Sequence, residues 1–427
     1  MGIKGRLNVM MFLEYAAKGL WFPLASLFLT EPAAEGGLGF TPNMKGLIIG
    51  IPLAIGAFCG PWLSRMCDNR FATQKFLGTL LLLVGVIKIM TARQTSFEAW
   101  FFLSIGFSIL YVPTIALTNS LSMTHLQDPK NEFSRVRVWG TIGWIAVAWI
   151  FPMVWLQKGL QFQSLPPFFK GEELPDATAR MIDSMTIAGV VCIFYAIYCW
   201  IALPNTPPKG ESKRFDLGEA LDMFKHRSFT ILMVAALILS VVHTMYFMQM
   251  GSFLKTAGLQ KQNVMPAMSL GQFSEIIALA FLGALLLRLG FRWTMALGAG
   301  SFALRYFIFS LDLPVEAHVA AQFLHGICFG CFYASAFIYV DRLAPEGVKH
   351  SAQAIFGAVM YGLGPIGASW LNGYLAQKAM GGTADLDAAG YGFYWQWTAA
   401  AALVATIILA VAFRDETEQE PATQPAS

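Results

Sequence analysis

Arg137, Thr141 and Trp144 fall at i, i+4 and i+7, so a helix through them carries a cationic donor, a hydroxyl and an aromatic plate along one stripe. Such a stripe suits a ligand that combines hydroxyl groups with a flat ring. One helical turn separates Gln272 from Glu275, which puts an amide and a carboxylate on a common face. A carboxylate in apolar sequence with no basic neighbour is able to take up and release a proton near neutral pH. Glu14 and Lys18 are four apart, in the order that favours an ion pair. Such a pair would neutralise both charges, and Glu14 could at the same time face a central cavity and contact substrate or proton. Lys88, His243, Arg305 and His325 are further ionisable groups in apolar runs, with Asn119 and Gln249 as uncharged companions.

Each of these side chains has a plainer reading. Arg137 opens its apolar run and would snorkel to the membrane surface as an anchor. Lys88 and Arg305 stand without such a grouping and read as structural, Arg305 being also available as partner for a buried carboxylate. His325, Cys328 and Cys331 follow at three-residue spacing, but they drift around a helix and lack a fourth ligand, so no metal is expected. The six cysteines lie in or beside apolar runs and imply no disulfide framework. With no phosphate-cradling glycine loop, nucleophile elbow or paired catalytic carboxylates, neither an enzyme nor a cofactor is expected.

The elements that must position these groups follow from composition. Hydrophobic residues make up 56% of the 427 positions and charged residues 13%. That is about half the charged share of a soluble domain, too little to clothe a water-facing surface. A helix needs about 20 mostly apolar residues to cross the hydrocarbon core. Spans are expected near 9–29, 44–63, 75–92, 98–121, 138–157, 181–203, 229–254, 266–287, 293–311, 316–340, 352–377 and 393–413. The first is too long for a signal-peptide core and carries Glu14 and Lys18, so it reads as a retained helix. An ionised group at the centre of such a span costs roughly 2.5–3.5 kcal/mol on insertion scales, so each one needs a reason to be there.

Alternate loops differ in basic charge. The set holding Lys4, Arg6, Arg65, Arg70, Lys213 and Arg214 is about twice the size of the set holding Lys45, Arg93, Lys158 and Lys170, which places both termini in the cytoplasm. The net charge of +3 is then a topology signal, and no basic, aromatic-interleaved patch points to nucleic acid. Pro204 to Arg214 is a polar, proline-rich linker, followed by an amphipathic segment from Asp216 to Phe224. The expected organisation is a six-helix bundle at 1–203, a cytoplasmic linker with a surface helix at 204–227, a second bundle at 228–414 and a tail at 415–427. The fold class is thus an all-α membrane protein with twelve transmembrane helices in two six-helix bundles, its substrate site near the midplane between them. The bilayer is its expected surrounding, and a monomer is the expected state.

Several runs carry a family resemblance. Met11-Phe12-Leu13-Glu14, Tyr111 to Ser120, Arg137-Val138-Trp139-Gly140-Thr141-Ile142-Gly143-Trp144-Ile145, Leu270-Gly271-Gln272-Phe273-Ser274-Glu275-Ile276 and Tyr339-Val340-Asp341 resemble, in order and spacing, the bacterial nucleoside:proton symporters of the major facilitator superfamily. The resemblance extends from the first span to the last and includes the linker from Leu203 to Lys209. It implies alternating access in the bacterial inner membrane, with a nucleoside as substrate and a proton as the driving partner. By the same resemblance Arg137, Thr141 and Trp144 contact the nucleoside, Gln272 and Glu275 hydrogen-bond it, and His325 and Phe329 pack or bond from the tenth span, with Asn119 as a further candidate. Glu275 and Glu14 are the proton-coupling candidates.

Two positions depart from the family pattern. Gly330 stands where the family's tenth span carries an aspartate, directly after the aromatic at Phe329, and Lys18 stands where the first span tends to carry an aromatic. Lys18 is expected to reorganise the site around Glu14, with altered substrate preference or weaker proton coupling. A carrier of another small polar solute such as a sugar or metabolite, a uniporter included, and a non-transporting receptor stay open as alternatives.

Overall fold

The computed structural model describes residues 2–163, 166–208, 217–345, 348–380 and 386–417. Ten helices among these are long and apolar enough to cross a bilayer, and two irregularities turn the ten into twelve spans. Lys261–Phe309 runs for 49 residues, but Gly290 sits at φ 68° and ψ 176° and divides it into the eighth and ninth spans. Residues with a Cβ avoid positive φ, so glycine is what permits the break. The first span is two helices, Ile3–Gly19 and Phe22–Phe28. Pro23 has no amide hydrogen to offer the Gly19 carbonyl four residues back, which helps to interrupt the ladder there.

The remaining spans are Pro42–Arg70, Thr73–Thr91, Phe97–His125, Pro129–Trp155, Asp183–Ile201, Arg227–Thr256, Val315–Leu343, Ser351–Met380 and Ala388–Ala412. Several reach beyond their apolar runs. The second continues through Arg65 to Arg70, and the fifth begins at Pro129, well before Arg137. A helix satisfies its own backbone wherever it lies, so hydropathy marks where the chain crosses hydrocarbon and not where the helix stops. The linker residues 209–216, Asp216 included, lie outside the described residues. After them the expected surface segment is a short helix, Leu217–Asp222, closed by a turn at Met223–Lys225. The expected tail lies outside the described residues from 418 on.

Within one half the second span packs on the fourth, the third on the sixth and the first on the fifth; the other half is built likewise around the seventh and eighth. The halves meet along the pairs first with seventh, second with eleventh and fifth with eighth. The end of the bundle away from both termini is bolted by polar contacts between the halves. Lys255 Nζ reaches both oxygens of Glu31 at 2.6 and 2.8 Å, and Lys261 Nζ donates to the Thr178 hydroxyl at 2.6 Å. Asn263 holds the Phe169 backbone through both its N–H and its carbonyl. Lys45 Nζ donates to Gln249 Oε1 at 2.8 Å, and Asn372 Nδ2 to the Pro42 carbonyl at 2.9 Å.

Candidate functional site

The fifth span brings its stripe to the seam. Arg137 and Thr141 are half-buried and Trp144 is buried. Arg137 stands over the ring of Tyr15 of the first span, its guanidinium carbon 4.0 Å from the centroid. Gly140 makes room for this: a Cβ there would stand 2.5 Å from the Tyr15 ring and 2.9 Å from Arg137 Nη1. Across the seam the eighth span carries Gln272 and Glu275, both half-buried. Arg137 and Glu275 each lie within the other's electrostatic reach, together with Tyr15 and Tyr361 of the eleventh span. Among the described residues no ion pair of 4 Å or less joins Arg137 to Glu275. The opposite charges therefore face each other from different halves without touching. Tyr361, which senses both charges, is itself 43% exposed.

An aromatic wall crosses the seam, beginning on the same stripe at Trp144. Trp144 meets Phe22 edge-on at 6.3 Å, and Phe22 meets Phe247 of the seventh span at 5.0 Å. Phe247 continues to His243 at 5.1 Å and His325 at 6.2 Å, and His243 to Tyr333 at 5.3 Å. Tyr333 closes on Phe329 at 5.6 Å. The wall thus runs from the fifth span over the seam to the tenth. Beside Phe22 a cavity of about 80 Å³ extends into the first half, bounded by Lys18, Trp21, Phe107 and Tyr111 among others. Flat faces of this kind suit a heterocycle by stacking.

Local backbone features set the register. The eighth and tenth spans touch at Gly326, where a Cβ would come within 2.2 Å of the Glu275 amide nitrogen, and the Gly326 N–H donates to Ser274 Oγ at 3.0 Å. Two π-helical segments, Cys328–Ala334 and Val359–Leu363, carry Phe329 and Tyr361. A π turn shifts the following side chains around the axis and frees backbone carbonyls. The Ser240 hydroxyl takes the freed Met360 carbonyl.

Polar atoms at membrane depth are left with capacity to spare. Gln272 Oε1, Asn119 Oδ1 and His243 Nδ1 are buried without a hydrogen-bond partner among the described residues. Leaving such a group unpaired costs about 1–3 kcal/mol, which a polar solute offering the complementary group would recover. Among the described residues the Asn119 oxygen, on the fourth span, meets none of the other candidates in a hydrogen bond.

The structure corrects the expectation at Glu14. Its carboxylate is fully buried inside the first half, accepting from Thr114 Oγ1 at 2.7 Å and from Thr118 Oγ1 at 3.3 Å. Tyr195 and Thr118 share a further bond at 3.1 Å, and Tyr111 donates to the Glu14 carbonyl. Among the described residues no ion pair joins Glu14 to Lys18. Lys18 points to the seam instead, with Nζ 5.2 Å from the Phe22 ring centroid. Two hydroxyls on the fourth span fit the carboxylate inside the bundle, where the long lysine side chain does not follow.

Tyr15, Phe22, Phe247 and Tyr361 escaped the sequence reading. A signal existed for the first two, since Tyr15, Lys18 and Phe22 lie at i, i+3 and i+7. The π segment around Tyr361 breaks the period that would have revealed it.

The model of the family described as nucleoside H+ symporters matches residues 1–418. The chain belongs to that family. The symporter is 28% identical to YegT of Escherichia coli (strain K12) over 97% of this chain and 94% of that one. It is 23% identical to the nucleoside permease NupG of the same organism over 86% of each chain. The crystal structure of the nucleoside transporter NupG superposes with a TM-score of 0.80 at 20% identity, over 97% of this chain and all of the other. That likeness bears on the fold and agrees with twelve helices in two six-helix bundles. The symporter is a multi-pass membrane transporter and not an enzyme. At the position of the expected aspartate, Gly330 packs against the eighth span so closely that a Cβ would stand 3.0 Å from Ala278 Cβ.

Proposed function

We propose that this transporter binds a nucleoside between its halves and imports it with a proton by alternating access. The base would stack on the wall formed by Trp144, Phe22, Phe247 and Phe329, while Arg137, Thr141, Gln272, Glu275 and His325 would bond the ribose and the base edge, with Asn119 at the periphery. Glu275 is the first candidate for the carried proton and Glu14 the second. The protein would sit as a monomer in the bacterial inner membrane with both termini cytoplasmic, so that the bolted end is the outer one.

One observation supports this reading above the rest. Arg137 and Glu275 oppose each other across the seam without an ion pair. A solute that bridges them would gain from both halves at once, and only while the halves are close. Binding energy would then drive closure, because it differs between the open and closed arrangements. Gly330 and Lys18 favour one alternative, a carrier with weakened coupling or another small polar substrate.

Purified protein in liposomes under an inward proton gradient decides between these. Radiolabelled uridine and adenosine are expected to accumulate, and a protonophore to abolish accumulation; Arg137→Ala should lose uptake. Uptake that ignores the protonophore would establish the uncoupled alternative. Competition by sugars and not by nucleosides would remove the nucleoside.

A further inference from the structure

Arg305 of the ninth span is fully buried, and among the described residues no carboxylate lies within 4 Å of it. Rings take the place of a counter-ion: the guanidinium carbon is 4.2 Å from the Tyr246 centroid and 5.0 Å from that of Tyr306. Nη2 donates to the Tyr306 hydroxyl at 3.2 Å, and Nε has no hydrogen-bond partner among the described residues. The shortest contact is with an imidazole: Nη1 lies 2.7 Å from His325 Nδ1.

A guanidinium has donors and no acceptor, so the His325 nitrogen facing it must supply a lone pair. In the neutral imidazole the proton is then on the other nitrogen, Nε2. The ring has little freedom to turn over. It stacks on His243 at 5.5 Å and 15° and on Tyr246 at 5.6 Å and 26°, and Gly271 presses against its Cβ and Cδ2. It also abuts Phe247, a member of the aromatic wall, and stands one turn before Phe329.

We infer that Arg305 is a positioning residue that fixes the tautomer of His325, so that His325 offers Nε2–H as a donor to an acceptor atom of the bound base, a carbonyl oxygen or ring nitrogen. The inference rests on the proposed nucleoside reading and names a contact within it. Arg305 itself touches no substrate; it acts through the imidazole, as outer groups orient metal-binding histidines. A cation placed only for packing would leave the histidine free to exchange its proton between nitrogens.

The test uses the full chain in lipid nanodiscs with ¹⁵N-labelled histidine, the His325 signals being assigned by their loss in His325→Phe. The long-range proton–nitrogen spectrum is expected to place the proton on Nε2 in the wild type and in Arg305→Lys, whose ammonium can donate to the same nitrogen. Arg305→Met should give mixed tautomers. In the same preparations uridine and adenosine should bind about tenfold more weakly in Arg305→Met and His325→Phe, the loss expected for one hydrogen bond, with partial rescue in Arg305→Lys. A proton on Nδ1 in the wild type, an unchanged tautomer in Arg305→Met, or undiminished binding in His325→Phe each overturns the proposal. Should Arg305→Met fail to fold, the wild-type and Arg305→Lys spectra carry the decision. A wild type that binds no nucleoside overturns the functional reading and the donor's target, and the spectrum alone then decides the tautomer.

Discussion

Lys45 Nζ and Gln249 Oε1, 2.8 Å apart, tie the second span of one half to the seventh span of the other. Lys45 is 1% exposed and also reaches Ser252, while Gln249 passes the connection to Asn372, which accepts from Tyr394. The bond belongs to the closed arrangement of this end, because separating the halves would strip Gln249 of its charged donor. A hydrogen bond to a charged group contributes about 1.5–3 kcal/mol, a factor of about 10 to 150 in a two-state equilibrium. Lys45→Met is therefore expected to shift the population toward opening at this end. Nitroxide labels at Thr95 and Asp312, one on each half, should report a longer distance in the variant; superimposable distributions would remove Lys45 from the closure.

Arg137 combines charge with a planar fork held on the Tyr15 ring. Arg137→Ala should weaken uridine binding by about 10 to 150-fold, the worth of a charge-assisted hydrogen bond. Arg137→Lys keeps the charge but not the fork, so its affinity should lie nearer to that of alanine than to that of the wild type. Scintillation proximity binding measures both. Wild-type affinity in Arg137→Lys would mean that only charge matters at this position.

Glu275→Gln preserves volume and hydrogen-bonding capacity and removes the ability to release a proton. Uridine accumulation under a proton gradient should disappear while uridine exchange across the membrane is largely kept. Accumulation that survives the substitution would move the carried proton away from Glu275, with Glu14 next in line.

Glu14 separates two ways of stabilising a buried carboxylate. The sequence favours Lys18 as its partner; the structure supplies Thr114 and Thr118. A double-mutant cycle on thermal stability should give Glu14→Gln and Thr114→Val a coupling of about 0.5–3 kcal/mol, as for directly bonded groups. The cycle of Glu14→Gln with Lys18→Met should give the smaller value of the two. The reverse order would restore the ion pair.

That contrast marks how far the chain can be read from its residues. The all-helical fold and the number of spans were legible, because hydropathy and helical period are local. The partner of Glu14 was not, because Thr114 is 100 residues away and nothing local favours it over Lys18. Tyr361 and the course of the aromatic wall through Phe247 were hidden for related reasons. A π segment shifts the register at the first, and the second takes its meaning only from Phe22 on the opposite half.

Gly330 supplies the last test. Its missing side chain leaves the tenth span close against Ala278, which lies one turn beyond Glu275 on the eighth. Gly330→Asp should lower the melting temperature, since overpacking a fitted core costs about 1–3 kcal/mol. Ala278→Gly removes the methyl in the way and should recover part of that loss in the double variant. The new carboxylate would then enter at Ala278, one turn from Glu275, and two carboxylates close enough to share a site hold a proton between them. The double variant should accordingly exchange more protons per nucleoside bound, read with a pH indicator in weakly buffered solution. If Gly330→Asp alone is as stable as the wild type and proton exchange is unaltered in both variants, neither the tight packing at 330 nor its proximity to the carboxylate of the eighth span holds.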